Sequence, residues 1–221
     1  MDGVLASERR SIGREFFERA RTRLTLDVPP ALTDPAIPGA RGDLDLDPSL
    51  WERAGVAATR PAGVLVGVVD RPEPTVLLTL RNADLESHGG QIAFPGGKIE
   101  PSDASPAAAA LREAHEEIGL APDLVDPIGH LDLYLTFSGF RILPTVARVD
   151  PDHRLTLNRS EVAEAFEVPL AFLMDARNHA LHSRDWKGVI RRYYAMPFGE
   201  RYIWGVTAGI LRNLYERIYL G

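Results

Sequence analysis

The chain contains no cysteine, which excludes disulfide bonds and thiolate metal ligands. It has no run of Lys or Arg and a formal net charge of -6 at pH 7, so no nucleic-acid partner is expected. The longest apolar run, residues 62–69, is far too short to cross a bilayer, and residues 1–10 lack the apolar core of a secretory signal. We therefore expect no membrane partner and a cytoplasmic location.

Apolar residues recur at helical spacing near the start of the chain: Ile12, Phe16, Ala20 and Leu24. This pattern predicts an amphipathic helix over residues 7–24, packed on the main domain or on the partner chain of a homodimer. Residues 28–50 are rich in Pro, Gly and Asp and predict an irregular connector, with a second short helix over residues 48–54. The chain is thus expected to divide into a helical arm with its connector, residues 1–58, and one domain, residues 59–221.

Apolar segments bounded by Pro, Gly and Asp predict the strands of that domain: residues 63–69, 75–81, 91–94, 125–135, 140–149 and 189–196. The gap between the first two suits a hairpin turn. Residues 161–172 predict a short turn or strand before Pro169 and a helix after it, and residues 202–219 predict a closing amphipathic helix. Its inward residues are expected to be Val206, Ile210, Leu211, Leu214 and Ile218. The expected fold class is α/β (α+β), a mixed sheet with helices on its faces.

One further helix has clear ends, because Ser105 is a good N-cap, Pro106 fits the first turn and Gly119 suits the end. It carries three carboxylates at positions i, i+3 and i+4: Glu113, Glu116 and Glu117. Such residues share a face and repel one another, and the helix dipole disfavours negative charge near the C-terminus. A divalent cation would resolve this conflict, since hard cations take oxygen ligands. The sequence therefore predicts a metal-dependent reaction on phosphates.

The segment around these glutamates resembles the signature of the Nudix hydrolases. That signature has a glycine, five residues, an acid, a spacer, and then Arg-Glu-apolar-x-Glu-Glu-x-Gly-apolar. Gly97 matches the glycine and residues 112–120 (REAHEEIGL) match the end. Asp103 replaces the expected glutamate, and the spacer to Arg112 is one residue longer. Both departures resemble one subgroup, the coenzyme A pyrophosphatases.

That subgroup also has an upstream box, which residues 77–81 (LLTLR), Gly90 and residues 94–97 (FPGG) resemble at the right spacing. Asn82 and Glu86 depart from the box, and Glu86 reverses the charge of its second arginine. Two further segments resemble the subgroup: residues 168–170 (VPL) and residues 203–208 (IWGVTA). The resemblance covers roughly residues 60–220, the size of a typical domain.

The resemblance implies a Nudix fold, an α/β/α sandwich with a mixed sheet. It implies metal-dependent hydrolysis of a diphosphate linkage, in coenzyme A or a derivative, to 3′,5′-ADP and 4′-phosphopantetheine. Because Glu86 departs from the box, the substrate could instead be another nucleoside diphosphate derivative, such as NADH or ADP-ribose. A third alternative is a Nudix-fold binding module without turnover, against which the intact acidic residues count. The implied partner is a small-molecule nucleotide.

By the same resemblance, Glu113, Glu116 and Glu117 would hold Mg²⁺ or Mn²⁺, together with the backbone carbonyl of Gly96 or Gly97. Arg112 lies four residues before Glu116 and can fix its rotamer by pairing with it. Either Glu113 or Glu116 could act as the base. The glycines permit a tight turn and close approach of the backbone to substrate.

Other residues carry two interpretations each. Arg81 would bind a substrate phosphate or form a structural ion pair, and His88 would contact substrate or form a loop hydrogen bond. Arg191 and Arg192 face a substrate phosphate or are solvated strand residues. Aromatic residues are expected in the core rather than as a base-stacking platform: Phe137, Phe140, Tyr193, Tyr194 and Trp204.

Overall fold

The computed structural model describes residues 2–37, 41–43, 45–46, 59–85, 87–186 and 188–220, with side chains from residue 13 onward. The predicted short helix at residues 48–54 and the departure at Glu86 lie outside this part. The first helix, α1, spans Asp2–Arg23, and short 3₁₀ turns lie at Pro30–Leu32, Pro122–Leu124 and Ala176–Asn178. Among the described helices, none has the length and apolar character that a bilayer-crossing segment needs.

The main sheet has nine strands and is mixed. Its members are β1 (Arg41–Gly42), β2 (Arg60–Val69), β3 (Thr75–Arg81), β4 (Ile92–Ala93), β5 (Gly96–Lys98), β6 (Val125–His130), β7 (Tyr134–Leu135), β8 (Phe140–Val149) and β9 (Val162–Pro169). The order β1-β7-β8-β2-β3-β4 forms the path, with β5 on β2, β6 on β8 and β9 on β3. The central strand β2 runs parallel to β8 and pairs with β3 as the predicted hairpin, Val69 opposite Thr75.

A second, antiparallel sheet has the order β10-β11-β12. Its strands are β10 (Ala180–Trp186), β11 (Val189–Phe198) and β12 (Arg201–Trp204). The strand β12 packs against β4 of the main sheet. The second sheet therefore lies beside β4, the edge strand that leads into residues 94–97. We call these residues the glycine segment.

Helix α2 (Pro106–Ile118) covers one side of the main sheet. The Ser105 hydroxyl accepts a hydrogen bond from Ala108 N at 3.1 Å, and Gly119 ends the helix with a φ of 68°. Buried α2 residues Ala114 and Ile118 pack against side chains from β2, β3 and β8. The predicted helix and its end residues are thus confirmed, and each end is set by a local signal.

The other side of the sheet is covered by α1, α3 (Leu170–Leu173) and α4 (Gly205–Tyr215), which is followed by a π-helical turn at Glu216–Leu220. Phe16, Ala20 and Leu24 of the arm are buried in the same cluster as residues of α4. The arm helix therefore packs on the main domain of its own chain. Helices on both sides of a mixed sheet confirm the predicted sandwich.

Two element predictions were wrong in detail. The strand expected over residues 125–135 is divided, since β6 is irregular between Pro127 and Gly129 and ends at His130. The closing helix begins at Gly205 rather than at residue 202, because Gly205 has a φ of 62° and residues 201–204 pair as β12. Val206 is half-buried and packs against the core, as expected. Strands β1, β5 and β10 were not predicted, and the pairing of β10 is set by its distant partner β11.

Candidate active site

The glycine segment and α2 approach each other closely. A Cβ atom on Gly97 would lie 2.5 Å from Glu113 Oε1, so the missing side chain leaves the space that the Glu113 carboxylate fills. Gly96 has a φ of 153°, and a Cβ there would lie 2.4 Å from Gly63 O of β2. Glycine at these two positions therefore allows the backbone of β5 to sit against both β2 and the acidic helix.

Glu117 is the buried acid of the site, with 3% of its surface exposed. Its Oε2 accepts a hydrogen bond from Gly96 N at 3.1 Å, and its Oε1 lies 3.6 Å from Arg81 Nη1. Burial raises the pKa of the Glu117 carboxyl to about 7, against the lowering effect of Gly96 N and Arg81. The nearby charges of Glu113 and Glu161 raise the same pKa further.

Arg112 joins the acidic helix to the preceding loop. Its Nε and Nη2 donate to the two oxygens of Asp103 at 3.0 and 3.1 Å, and Nη2 also donates to Lys98 O at 3.1 Å. Its Nη1 donates to Glu113 Oε1 at 3.0 Å and to Glu116 Oε2 at 3.3 Å. The hydrogen bond from Arg112 lowers the pKa of Asp103. One guanidinium thus orients three carboxylates.

The three glutamates do not converge on one point. The Glu116 side chain is 56% exposed and is held by Arg112, whereas Glu113 is partly buried beside Gly97 and Glu117 faces inward. Burial also raises the pKa of Glu113. Across the residues that the structure describes, no three acidic or histidine side chains form a ready cluster for a metal ion. The helical spacing predicted a shared face; Glu113 and Glu116 both accept from Arg112 Nη1, whereas Glu117 contacts Gly96 N and Arg81 instead.

A fourth carboxylate, Glu161, was missed by the sequence analysis. It lies one residue before β9 and accepts a hydrogen bond from Asn158 Nδ2 at 3.0 Å. Asn158 N in turn donates to Glu117 O at 2.9 Å, which ties this loop to the end of α2. The charge of Glu161 raises the pKa of both Glu113 and Glu117. No local motif marks Glu161, because the pairing of β9 with β3 brings it here.

The donor set fits a divalent cation in its chemistry. Glu113, Glu117 and Glu161 supply carboxylate oxygens, the ligands that Mg²⁺ and Mn²⁺ prefer. After burial, the charge of Glu161 raises the pKa of both Glu113 and Glu117, and the charge of Glu113 raises that of Glu117. Added positive charge between them would relieve that repulsion.

Arg81 and His88 lie on either side of the loop that leads to the glycine segment. Arg81 is next to Glu117, and its Nε is buried with no hydrogen-bond partner among the described residues. His88 is exposed with a φ of 60°, and its Nδ1 lies 3.1 Å from Gln91 Oε1. The contact seen for His88 is the loop hydrogen bond, and Arg81 combines an ion pair with an open donor.

The aromatic residues divide between two environments. Tyr194 packs on the core, as expected. Phe140 lies under Arg60, and Phe137 lies under Arg191 at 3.7 Å from the ring centre. Phe137, Phe140, Tyr193 and Trp204 are all half-buried outside the core clusters, so the expectation that they are core residues was wrong. For Trp204 the reason is that side chains alternate along β12 and the neighbouring Ile203 takes the inward position.

Comparisons with known proteins agree with this fold. The profile of the NUDIX domain matches residues 59–187. The uncharacterized Nudix hydrolase NudL of Cronobacter sakazakii is 45% identical over 167 residues, covering 72% of this chain and 83% of the relative. NudL of Escherichia coli strain K12 is 40% identical over 160 residues, with the same coverage. The chain belongs to the Nudix family.

Among solved structures, the chain is similar to a NUDIX hydrolase from Alicyclobacillus acidocaldarius. The identity is 20%, the TM-score is 0.45, and the match covers 71% of this chain and 90% of that one.

Proposed function

We propose that this Nudix hydrolase cleaves the diphosphate linkage of coenzyme A or a derivative and releases 3′,5′-ADP and 4′-phosphopantetheine. One observation carries the proposal. The two segments that resemble the coenzyme A subgroup, residues 77–81 and 94–97, meet at a single carboxylate, since Arg81 and Gly96 both contact Glu117. Residues 59–221 would form the catalytic domain, with residues 1–58 as its arm and connector.

The residues divide the chemistry among them. The diphosphate resists attack because its oxygens are negative, and a catalyst must offset that charge and align a nucleophile. Arg81 would offer its partly exposed guanidinium to a substrate oxygen, and the backbone of Gly96 and Gly97 would allow close approach. Glu113 is the better placed of the two candidate bases, since it lies against Gly97 whereas Glu116 is exposed.

A cation would be held by the acidic residues of α2, Glu113, Glu116 and Glu117, with Glu161 and the Gly96 carbonyl as further donors. Bound Mg²⁺ or Mn²⁺ would neutralise diphosphate charge and make water a stronger nucleophile. Arg112 would keep Glu113 and Glu116 in place through its hydrogen bonds.

The departure at Asn82 has a structural account. Its backbone N–H donates to Glu161 O at 2.8 Å, and its Nδ2 donates to Arg159 O at 2.8 Å. Its Oδ1 accepts a hydrogen bond from Asp84 N at 3.1 Å. Asn82 therefore holds the loop that carries Glu161, and its side chain is not free for substrate.

The test is a panel of coenzyme A, NADH and ADP-ribose, incubated with Mg²⁺ or Mn²⁺ and read by mass spectrometry. We expect 3′,5′-ADP and 4′-phosphopantetheine from coenzyme A, and no product after chelation of the metal. Turnover of NADH or ADP-ribose alone would transfer the assignment to another nucleoside diphosphate derivative. If no product forms from any of these three compounds, the result would favour a Nudix-fold binding module without turnover.

A further inference from the structure

The second sheet has one side in the core and one side turned away from it. Met196 and Ile203 are fully buried and lie opposite each other in β11 and β12. Because side chains alternate across a strand, Tyr202 and Trp204 lie on the other side. We call that side the aromatic face, and its aromatic and charged residues are His182, Arg184, Trp186, Arg191, Tyr193, Tyr202 and Trp204.

Four rings of the aromatic face support one another. The ring centres of Tyr193 and Trp204 are 5.3 Å apart, and those of His182 and Tyr193 are 6.0 Å apart. His182 Nδ1 lies 2.7 Å from the hydroxyl of Tyr202. Tyr202 is 40% exposed, so its ring is open to a ligand. Preset aromatic surfaces of this kind stack well with a flat base.

Two arginines extend the same face. Arg184 and Arg191 lie directly opposite each other in β10 and β11, and like charges in that position destabilise a sheet. Arg191 stacks on Phe137, and its Nε is buried with no hydrogen-bond partner in the described part of the chain. The carboxylate of Asp43 interacts with Arg191 through charge but already accepts a hydrogen bond from Phe137 N at 2.8 Å. A bound anion would offset the charge repulsion between Arg184 and Arg191.

The second sheet lies beside the strand that leads into the acidic site. Strand β12 packs against β4, which leads into Gly96. Strand β12 therefore lies beside the segment that carries Gly96, a residue proposed to act on the diphosphate.

We propose that the aromatic face binds the adenine base of the substrate and that Arg184 and Arg191 bind a phosphate on its ribose. The inference rests on the proposed function, hydrolysis of an adenine nucleotide diphosphate. A purine stacks on aromatic rings, and a phosphate matches an arginine fork. An adenosine carrying a ribose phosphate meets both requirements at once, whereas the pantetheine half of coenzyme A offers neither an aromatic ring nor an anion.

Binding of the adenine base is tested with two variants, Tyr202→Leu and Tyr202→Phe. The affinity of the full chain for 3′,5′-ADP is measured by calorimetry. Tyr202→Leu should weaken binding about tenfold, because a stacking surface is lost. Tyr202→Phe keeps the ring and should stay within about twofold. The matched control is Leu181→Ser, since Leu181 is also exposed but lies on the opposite side of β10, facing Tyr194.

The phosphate is tested with Arg184→Gln, compared with Arg192→Gln on the opposite side of β11. Arg184→Gln should weaken the binding of 3′,5′-ADP about tenfold. The binding of 5′-AMP, which lacks the second phosphate, should be unchanged. Arg192→Gln should alter neither. Equal loss for both nucleotides in Arg184→Gln would overturn the assignment of the ribose phosphate.

The two proposals fail in different ways. If the wild-type chain hydrolyses only NADH or ADP-ribose, coenzyme A is wrong as substrate, yet Tyr202→Leu should still raise KM for those adenine nucleotides. If coenzyme A is hydrolysed and Tyr202→Leu leaves both KM and the affinity for 3′,5′-ADP unchanged, the base does not bind here. A changed sedimentation coefficient with unchanged affinity would make the face a contact between two copies and overturn the proposal.

Discussion

Arg112 holds both oxygens of Asp103, with Nε at 3.0 Å from Oδ1 and Nη2 at 3.1 Å from Oδ2. This pair fixes the loop after the glycine segment to the acidic helix, and the same guanidinium reaches Glu113 and Glu116. Asp103 is the residue that departs from the Nudix signature. Its shorter side chain meets Arg112 in a fork geometry that is specific as well as strong.

Asp103→Asn should therefore reduce both stability and turnover. The change removes one of two charge-assisted hydrogen bonds at a buried carboxylate, which costs about 2 kcal/mol. Freed from Asp103, Arg112 would hold Glu113 and Glu116 less firmly, and we expect kcat to fall about tenfold. Urea unfolding and steady-state kinetics measure the two effects. A stable variant with unchanged kcat would show that the pair does not position the site.

Gly97→Ala and Gly96→Ala should separate activity from folding. A Cβ at Gly97 meets the Glu113 carboxylate, a side chain that can move, so turnover should fall about 10²-fold while the chain stays folded. A Cβ at Gly96 meets the backbone oxygen of Gly63, which cannot move cheaply, so the melting temperature should fall by several degrees. Thermal melts and rates on the same preparations decide this. Equal loss of stability in both variants would contradict the argument.

The local parts of the site were predictable from sequence. Ser105, Pro106 and Gly119 set the ends of α2 through contacts within a few residues. The strand at residues 75–81 was predicted to the residue, because its apolar run has clear boundaries. The position of the glycine segment against α2 followed from the family resemblance.

The long-range parts were not predictable. Glu161 reaches Glu117 only through the pairing of β9 with β3 and the hydrogen bond from Asn158. Residues 202–204 were predicted as the start of a helix, since the pairing of this segment with β11 is not visible in the local pattern. Glu117 pairs with Arg81 of β3 whereas Glu113 and Glu116 pair with Arg112, and helical spacing alone does not determine that division.

Glu117→Gln and Glu116→Gln should each lower turnover by about 10²-fold or more, the scale for loss of a base or a charge stabiliser. His115→Gln is the matched control, because His115 is exposed on the same helix between the glutamates. Steady-state rates across a Mg²⁺ titration give the comparison. Near-normal rates in either glutamate variant would count heavily against its assignment as a metal ligand.

Glu161→Gln tests the acid that the sequence analysis missed. Removal of its charge should lower the affinity for Mn²⁺ and reduce turnover about tenfold, since it is a neighbour of both Glu113 and Glu117. Glu200→Gln, an exposed residue in the turn before β12, is the control. Metal affinity by calorimetry in the presence of 3′,5′-ADP, together with kcat, provides the readout. If Glu161→Gln matches Glu200→Gln in both, Glu161 takes no part in the site.

Stability should also depend on the carboxylate of Glu167, which lies on β9 away from the acidic cluster. Side-chain hydrogen bonds from Arg71, at 2.8 Å to each oxygen, lower the pKa of Glu167 below its ordinary value of 4.5. A lowered pKa in the folded state means that this contribution is present above pH 4.5 and is lost as the pH falls through the folded value. Because Arg71 is partly exposed, we expect Glu167→Gln to cost on the order of 1 kcal/mol at pH 7.

The difference between wild type and Glu167→Gln should shrink toward pH 3, where the wild-type carboxyl is losing its charge. Urea unfolding of both proteins at pH 7 and pH 3 measures it. Glu18→Gln, an exposed change on α1, controls for general charge effects and should give no difference at either pH. An equal cost of Glu167→Gln at both values would mean that Arg71 does not stabilise the ionised form.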